Sequence, residues 1–259
     1  PTEDPDVVLH LGDYIYEGPA GTGPNTVRPH NGGEIVTLDD YRNRYGLYRG
    51  DPALQGIHAT CPWIVTWDDH EVENNYAGLT PQFVDEAPAF PARRAAAYQA
   101  WREHMPVRLA PPAGPDLPIY RSFDWGRLAR FHVLDTRQYR SDQACGDGTG
   151  PTCDERTDPA RTLLGAAQEA WVGESLASSR ATWDVLANQI VIAGTMLGVA
   201  EGLAYACRVG LDPHAVLASI GTGAAGVQAT QVIAADAAHV YVFQRTPPWA
   251  WPAGNGALE

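Results

Sequence analysis

Two short apolar runs in the first part of the chain end directly in acidic residues. Residues 6–12 and 63–67 have the length and β-branched content of buried strands, and Asp13 and Asp68 follow them at once. The same reasoning predicts further strands at 130–135 and 184–187, and helices at 38–48, 91–104 and 165–180. Alternating strands and helices indicate an α/β fold, in which ligands bind beyond the carboxyl ends of the strands.

Charge is distributed unevenly along the 259 residues. Only four of the 31 acidic residues and two of the 18 basic residues lie in 191–259, a segment otherwise rich in alanine and glycine. We therefore predict a charged α/β domain over residues 1–190. We predict a separate Ala/Gly-rich tail over residues 191–259, which does not form a complete domain.

The formal net charge of −13 argues against two classes of partner, because nucleic acids and anionic membranes would both repel the chain. No apolar run is long and charge-free enough to span a bilayer, so we expect no stable membrane insertion. The chain opens without Met or a signal peptide, and we expect a further segment upstream of it. We expect a monomer that acts on a small substrate.

The first predicted strand is followed by a Gly-Asp-x-x-Tyr motif. Gly12 permits a sharp turn, and Asp13 and Tyr16 follow it on the same turn. A carboxylate at a strand end can bridge two cations, and a phenolate oxygen suits a hard ferric ion. The alternative interpretation is structural, with Asp13 capping the turn and Tyr16 packing over it.

The second predicted strand runs into a dense cluster of carboxylates, amides and one imidazole. Its members are Asp68, Asp69, His70, Glu71, Glu73, Asn74 and Asn75. Such a cluster is costly to bury without cations, and its oxygen ligands suit a hard metal ion. The imidazole of His70 can act on a substrate. The alternative is a helix capped by Asp68 or Asp69, with a solvated acidic first turn.

The third predicted strand leads into a segment with two arginines. The guanidinium of Arg137 or Arg140 can form a two-pronged contact with a phosphate group. The alternative is a structural Asp–Arg pair that braces the edge of the sheet.

Two cysteines flank a glycine-rich turn with the sequence CGDGTGPTC. This turn is flexible enough to bring the thiols of Cys145 and Cys153 within bonding distance. A disulfide at this position suits an exported protein. The alternative is a pair of free thiols in a loop.

Six sequence blocks within residues 5–190 resemble, in order and spacing, those of PhoD-like (alkaline phosphatase D) phosphatases. They are LHLGDYIYE, TLDDYRNRYGLYRGDPALQ, PWIVTWDDHEVENNYA, RRAAAYQAWREHMPVR, IYRSFDWGRLARFHVLDTRQYRSDQ and LLGAAQEAWVGESLASSRATWDVLANQ. The resemblance implies a metallophosphoesterase-like layered α/β sandwich with a metal site at its strand ends. It also implies a secreted or periplasmic enzyme that hydrolyses phosphate esters with iron and calcium.

The resemblance assigns roles to residues of the first two motifs. Asp13 would bridge the metal ions, Tyr16 would be the tyrosinate on ferric iron, and Asp69 would bind metal or phosphate. His70 would be catalytic, as a donor to a phosphate oxygen or to the leaving group. Arg137 is the candidate catalytic arginine, as a contact to the phosphate.

Two features of the PhoD-like family do not occur in this sequence. The family carries a cysteine iron ligand upstream of Gly-Asp-x-x-Tyr, and a Gly-Asp-x-His block downstream of the strand that begins at Trp183. We therefore expect an incomplete metal site with low or absent activity, to which residues 195–259 add no ligand. The two histidines of that segment, His214 and His239, are expected to lie at a helix start and in a strand.

The tail resembles fragments of two other families. Residues 187–213 resemble the helical domain of 3-hydroxyisobutyrate dehydrogenases, and 220–249 resemble the second dinucleotide motif of Baeyer–Villiger-type flavin monooxygenases. Gly221, Gly223 and Gly226 form the Gly-x-Gly-x-x-Gly pattern of that motif. These fragments raise two alternatives to a phosphatase, an NADP-dependent oxidoreductase and a non-catalytic fragment or chimera.

Overall fold

The structure is a computed structural model that describes residues 5–21, 29–146 and 153–189. The chain divides into two compact units, residues 1–189 and 190–259, and every described residue belongs to the first unit. The expectations for the Gly-x-Gly-x-x-Gly motif and for His214 and His239 concern residues outside the described ranges.

The first sheet consists of two parallel strands. Strand β1 (Val8–Leu11) pairs with β2 (Trp63–Thr66), with Val8 opposite Trp63 and Leu11 opposite Thr66. Both strands therefore end at the same edge of the sheet. Residues that follow them in sequence start from neighbouring points in space.

The second sheet has three strands in the order β3-β4-β5. Strand β3 (Arg121–Trp125) pairs antiparallel with β4 (Ala129–Val133), which pairs parallel with β5 (Trp183–Ala187). Sequence analysis predicts β4 and β5 but not β3, most of whose residues are exposed. A strand with little burial carries little of the apolar pattern from which strands are recognised.

Four α-helices accompany the strands in the described residues: α1 (Leu38–Arg49), α2 (Pro52–Thr60), α3 (Phe90–His104) and α4 (Ala166–Ser178). Thr37 and Asp40 form a capping box at the start of α1. Sequence analysis predicts α1, α3 and α4 but not α2. The signal for α2 is Asp51 as N-cap followed by Pro52 in the first turn.

An aromatic core lies between the helices and the first sheet. Trp67, directly after β2, is fully buried and stacks on Tyr98 of α3, with 4.1 Å between the ring centroids. Trp101 of α3 meets the same indole edge-on at 5.0 Å. Because aromatic rings bury a large apolar area, this packing fixes the point at which the chain leaves β2.

The observed architecture is a mixed α/β fold with two small sheets, which confirms the α/β class predicted from the sequence. The disulfide between Cys145 and Cys153 is formed, with 5.9 Å between the Cα atoms, which confirms the pairing expected from the glycine-rich turn. No helix within the described ranges is long and apolar enough to cross a membrane.

Candidate metal centre

Gly12 brings the ends of the two parallel strands into close contact. Its φ is +102°, and a Cβ at this position would clash with the backbone nitrogen of Asp68 and lie 2.6 Å from the carbonyl carbon of Trp67. A side chain at position 12 would therefore push the two chain segments apart. Asp13 also has a positive φ, of 58°, a conformation that Asp tolerates better than most residues.

The side chains predicted to form the metal site lie together beyond these strand ends. One ligand atom each from Asp13, Asp69 and His70 lies within 4.8 Å of the other two. The hydroxyl of Tyr16 donates a hydrogen bond to Oδ2 of Asp13 at 3.1 Å. The strand-end convergence predicted from the sequence is therefore present in the structure, while the roles of the four residues stay a prediction.

His70 is held by a carboxylate that sequence analysis did not single out. Nδ1 of His70 lies 2.7 Å from Oε2 of Glu17, whose other oxygen accepts a hydrogen bond from the backbone N–H of Asn74 at 2.8 Å. The ring of Tyr16 packs against the imidazole, with 4.4 Å between the centroids. Burial disfavours the imidazolium, but Glu17 and the nearby aspartates outweigh it and raise the pKa of His70 to about 9.

Asp69 is buried and only partly satisfied. Its Oδ2 accepts a hydrogen bond from the backbone N–H of Asn75 at 2.7 Å. Its Oδ1 accepts no hydrogen bond from the described residues and lies 3.2 Å from Nη2 of Arg137. Burial opposes ionisation, yet the positive charges of Arg137 and His70 prevail and lower the pKa of Asp69. Asp69 is thus ionised, and its Oδ1, although close to Arg137, makes no hydrogen bond within the described residues.

Arg137 pairs mainly with Asp68, the neighbour of the candidate ligand. Nε of Arg137 donates to Oδ1 of Asp68 at 2.5 Å, and both side chains are buried. Burial and the adjacent charge of Asp69 raise the pKa of Asp68 to about 7, against the opposing effect of Arg137. A structural Asp–Arg pair, one of the two alternatives left open by the sequence, is thus formed by Arg137, and its partners are the two aspartates after β2.

Asp135 organises the turn from which Arg137 projects. Its Oδ1 accepts hydrogen bonds from the backbone N–H groups of Arg137 and Gln138, at 3.0 and 2.9 Å. The same oxygen accepts from Nε1 of Trp67 at 3.1 Å. A carboxylate with this many donors is a structural acceptor, and it connects the end of β4 to the end of β2.

The other two acids after β2 serve the backbone and the helices. Glu71 accepts from the backbone N–H of Tyr14 at 2.6 Å and from that of Asp68 at 2.9 Å, so it ties the two strand-end loops together. Glu73 accepts from Arg93 of α3 at 2.9 Å. The predicted acidic cluster therefore has two roles. Asp69 is part of the candidate centre, while Glu71 and Glu73 stabilise the surrounding structure.

Arg140 differs from Arg137 in having few partners. Its Nε donates to the carbonyl of Ser141 at 3.3 Å, and no carboxylate in the described ranges forms an ion pair with it. Burial and the charge of Arg137 lower the pKa of Arg140. Its terminal nitrogens are not engaged in any hydrogen bond with a described residue.

The residues present fit a hard cation. Carboxylate oxygens of Asp13 and Asp69 lie close enough to share an ion, with the imidazole of His70 beside them, and an oxygen of buried Asp69 makes no hydrogen bond within the described part of the chain. Carboxylates favour hard cations. The centre therefore has the chemical character of a metal site.

The chain belongs to the PhoD-like phosphatase family, because the model of that family matches residues 1–246. This match confirms the resemblance noted in the sequence, and it extends beyond the domain boundary predicted near residue 190. The strand-end carboxylates and His70 described above lie within the matched region.

Known proteins show the same relationship. The chain is 54% identical over 208 residues to alkaline phosphatase D of Bacillus subtilis (strain 168), covering 77% of this chain and 35% of that protein. A solved structure of PhoD matches with a TM-score of 0.70 and 55% identity, covering 73% of this chain and 37% of the other. The chain thus spans about a third of the length of these relatives.

Shorter similarities connect the chain to two oxidoreductases. It is 44% identical over 79 residues to a probable 3-hydroxyisobutyrate dehydrogenase-like 1 protein of Arabidopsis thaliana, covering 30% of this chain and 22% of that protein. It is 34% identical over 128 residues to 2-oxo-Delta(3)-4,5,5-trimethylcyclopentenylacetyl-CoA monooxygenase of Pseudomonas putida, covering 49% and 19%. These are the two kinds of enzyme that the sequence of the tail resembles.

Proposed function

We propose that the chain carries the metal-binding part of an enzyme that hydrolyses phosphate esters. The observation that carries the proposal is the grouping of Asp13, Asp69 and His70 within 4.8 Å at the ends of two parallel strands. Membership of the PhoD-like family supports the reaction type. The substrate is a small phosphate ester, since the net charge of −13 opposes a polyanion such as nucleic acid.

In this proposal Asp13 and Asp69 hold the cations and Tyr16 contributes its phenolate oxygen. Iron and calcium are the proposed ions, on the strength of the family resemblance and of an oxygen-rich ligand set. A bound cation in such a site acts as a Lewis acid that stabilises charge on the phosphoryl oxygens. Arg137 balances the negative charge of the aspartates after β2, with which it is paired.

His70 is the proposed proton donor to the phosphate or to the leaving group. Glu17 fixes one ring nitrogen at 2.7 Å, so the imidazole is oriented and its other nitrogen is left for the substrate. A carboxylate partner also favours the protonated ring, which a donor requires. The sequence offers two arginines as phosphate contacts. The terminal nitrogens of Arg140 make no hydrogen bond with a described residue, whereas Arg137 is already paired with Asp68 and Asp69.

The proposal also covers the fold, the domain boundary, the localisation and the oligomeric state. We assign the described unit to a metallophosphoesterase-like layered sandwich, and residues 1–190 to the phosphatase core with 191–259 as a separate tail. The disulfide between Cys145 and Cys153 supports export to an oxidising compartment, secreted or periplasmic. A single chain carries the whole grouping of Asp13, Asp69 and His70, consistent with a monomer.

The proposal is tested by metal analysis and by hydrolysis of p-nitrophenyl phosphate with the same purified chain. We expect bound iron or calcium, and an affinity that Asp13→Asn lowers by about 100-fold or more, because the variant removes a charged ligand and keeps its shape. Asp124→Asn, a change of the same kind on exposed β3, should bind metal as the parent does. A parent that binds no metal and hydrolyses no phosphate ester contradicts the proposal.

A further inference from the structure

A cavity of about 490 Å³ opens directly beside the candidate metal centre. Asp13 and Tyr16, two residues of the centre, form one of its walls. The volume lies in the range of pockets that hold small organic molecules. Any group attached to a phosphate at the centre therefore has an adjoining space to occupy.

One part of the lining is apolar and belongs to α2. Ala53, Leu54 and Ile57 lie on one side of this helix and line the cavity. The position of the helix is fixed at its start, where Asp51 accepts hydrogen bonds from the backbone N–H groups of Ala53 and Leu54, at 2.8 and 3.1 Å. An apolar wall held in this way favours an apolar ligand group.

Aromatic rings complete the lining. Tyr14 and Tyr48 face the cavity, and Tyr14 is fixed at both ends. The backbone N–H of Tyr14 donates to Glu71 at 2.6 Å, its hydroxyl lies 2.9 Å from Nε2 of His58, and its ring stacks on Tyr45 at 5.9 Å. A wall that is ordered before binding loses little conformational entropy when a ligand enters.

The charges around the cavity disfavour a second anionic group. Apart from Asp13, the charged side chain among its described lining residues is Asp51, and no arginine of the described ranges lines it. His10, which also lines it, is uncharged at neutral pH because burial and the nearby His58 lower its pKa to about 4. Among the described residues, therefore, none that lines the cavity offers a cation to a second phosphate or to a carboxylate.

We infer that this cavity binds the leaving group of the substrate, and that this group is an uncharged aromatic or branched aliphatic alcohol. The inference rests on the proposed function, since it places the phosphate at the candidate metal centre. It selects one class among phosphate esters, and it disfavours polyphosphates and esters of anionic alcohols.

The test compares two phosphonates that cannot be hydrolysed and that differ only in the group beside the phosphorus. Phenylphosphonate should bind the metal-loaded chain about tenfold or more tightly than methylphosphonate, because only the phenyl ring reaches the apolar wall. Titration calorimetry gives both dissociation constants without any turnover. Inorganic phosphate, measured in the same way, reports on the centre alone.

Leu54→Asn should reduce the preference for phenylphosphonate to about twofold or less and leave the affinity for inorganic phosphate unchanged, since it places a polar amide in the apolar wall and adds no charge. Leu54→Ala, which keeps the helix and shortens the side chain, should lose part of the preference and decides the case if Leu54→Asn unfolds. Leu128→Asn, on a leucine that is 58% exposed in the β3–β4 turn, is the matched control and should keep the parent's preference.

Equal affinity of the parent for the two phosphonates, with inorganic phosphate still bound, overturns the inference and leaves the proposed function standing. A preference that persists in both Leu54 variants overturns it as well, since the phenyl ring then binds elsewhere. A parent that binds neither phosphonate nor inorganic phosphate overturns the proposed function together with the inference.

Discussion

The loops after β1 and β2 differ sharply from the outer part of the second sheet. In the loop after β2, Asp68 and Asp69 are buried and joined in one network with buried Arg137, which reaches them from the turn after β4. At the second sheet, Asp124 and Arg130 form an ion pair on the surface beside exposed Trp183, which is 65% accessible. Aspartate and arginine are thus buried together beyond the ends of β1 and β2, and they stay exposed to solvent at the second sheet.

This difference predicts where a substitution has consequences. A buried charge that loses its partner keeps the full cost of desolvation, whereas an exposed charge regains water. The loops should therefore respond strongly to small changes, and the surface of the second sheet should respond weakly. The following predictions test that contrast with pairs of similar substitutions in the two regions.

The largest effect is expected for Arg137→Leu, which leaves Asp68 buried without its ion-pair partner and leaves Asp69 with the charge of His70 alone. In buffer with a chelator, the variant should lose about 3 to 5 kcal/mol of unfolding free energy. Denaturant titration measures the loss, and added divalent cation should recover part of it by replacing the positive charge. Arg130→Leu, which breaks the exposed pair with Asp124, should hardly move the midpoint. Equal losses in the two variants would contradict the contrast.

Glycine provides a second matched pair. Gly12→Ala should cost about 2 to 5 kcal/mol, because an alanine there adopts a positive φ and also clashes with the backbone at Trp67 and Asp68. Gly126→Ala has a φ of +56° and nothing within 4 Å of the added Cβ, so it should cost about 1 to 2 kcal/mol from the backbone alone. Thermal unfolding of both variants checks the order, and a larger loss for Gly126→Ala would show that strand contact at Gly12 is unimportant.

A smaller effect is expected at the disulfide, which acts on the unfolded chain. Cys145 and Cys153 are eight residues apart in sequence, so their link closes a short loop. Replacing both by serine should cost about 2 kcal/mol by the loop-closure relation. Mass mapping after alkylation checks the pairing, and Cys61→Ser, at a free thiol of the described residues, is the control. Two alkylated thiols in protein from an oxidising compartment would argue against the link and against export.

The positions of the strand ends were easier to predict from the sequence than the hydrogen-bond and ion-pair partners of the acidic side chains. A buried apolar run followed by Gly12 and Asp13 specifies a strand and its exit, because both signals are local. Asp69 lies in the candidate metal centre, whereas Glu71 and Glu73 bind the backbone and α3. This difference depends on the direction of each side chain, which the residue type alone does not specify. Glu17 escaped notice because its partner His70 is 53 positions away in the chain.

The unpredicted elements have similar physical causes. Strand β3 is mostly exposed, so tertiary pairing with β4 and not an apolar pattern determines it. Helix α2 has no buried residue, although its cap at Asp51 was present in the sequence. The role of Arg137 was left open between a phosphate contact and a structural pair, and its partners Asp68 and Asp69 belong to another segment.

The smallest effect is expected at an exposed ion pair between two helices. Both terminal oxygens of Glu103 in α3 accept from Arg42 in α1 at 2.7 Å, which lowers the pKa of Glu103 to about 2. Because the folded pKa lies below the ordinary value of 4.5, any stability from this pair is present above that pH and lost as the pH falls towards 2. NMR titration should show the depressed pKa of Glu103 in the parent and a return towards 4.5 in Arg42→Gln. Solvent screens the pair, so the unfolding midpoint at neutral pH should not change beyond error. A clear loss of stability in Arg42→Gln would show that a charge pair on the surface matters as much as the buried pair of Arg137.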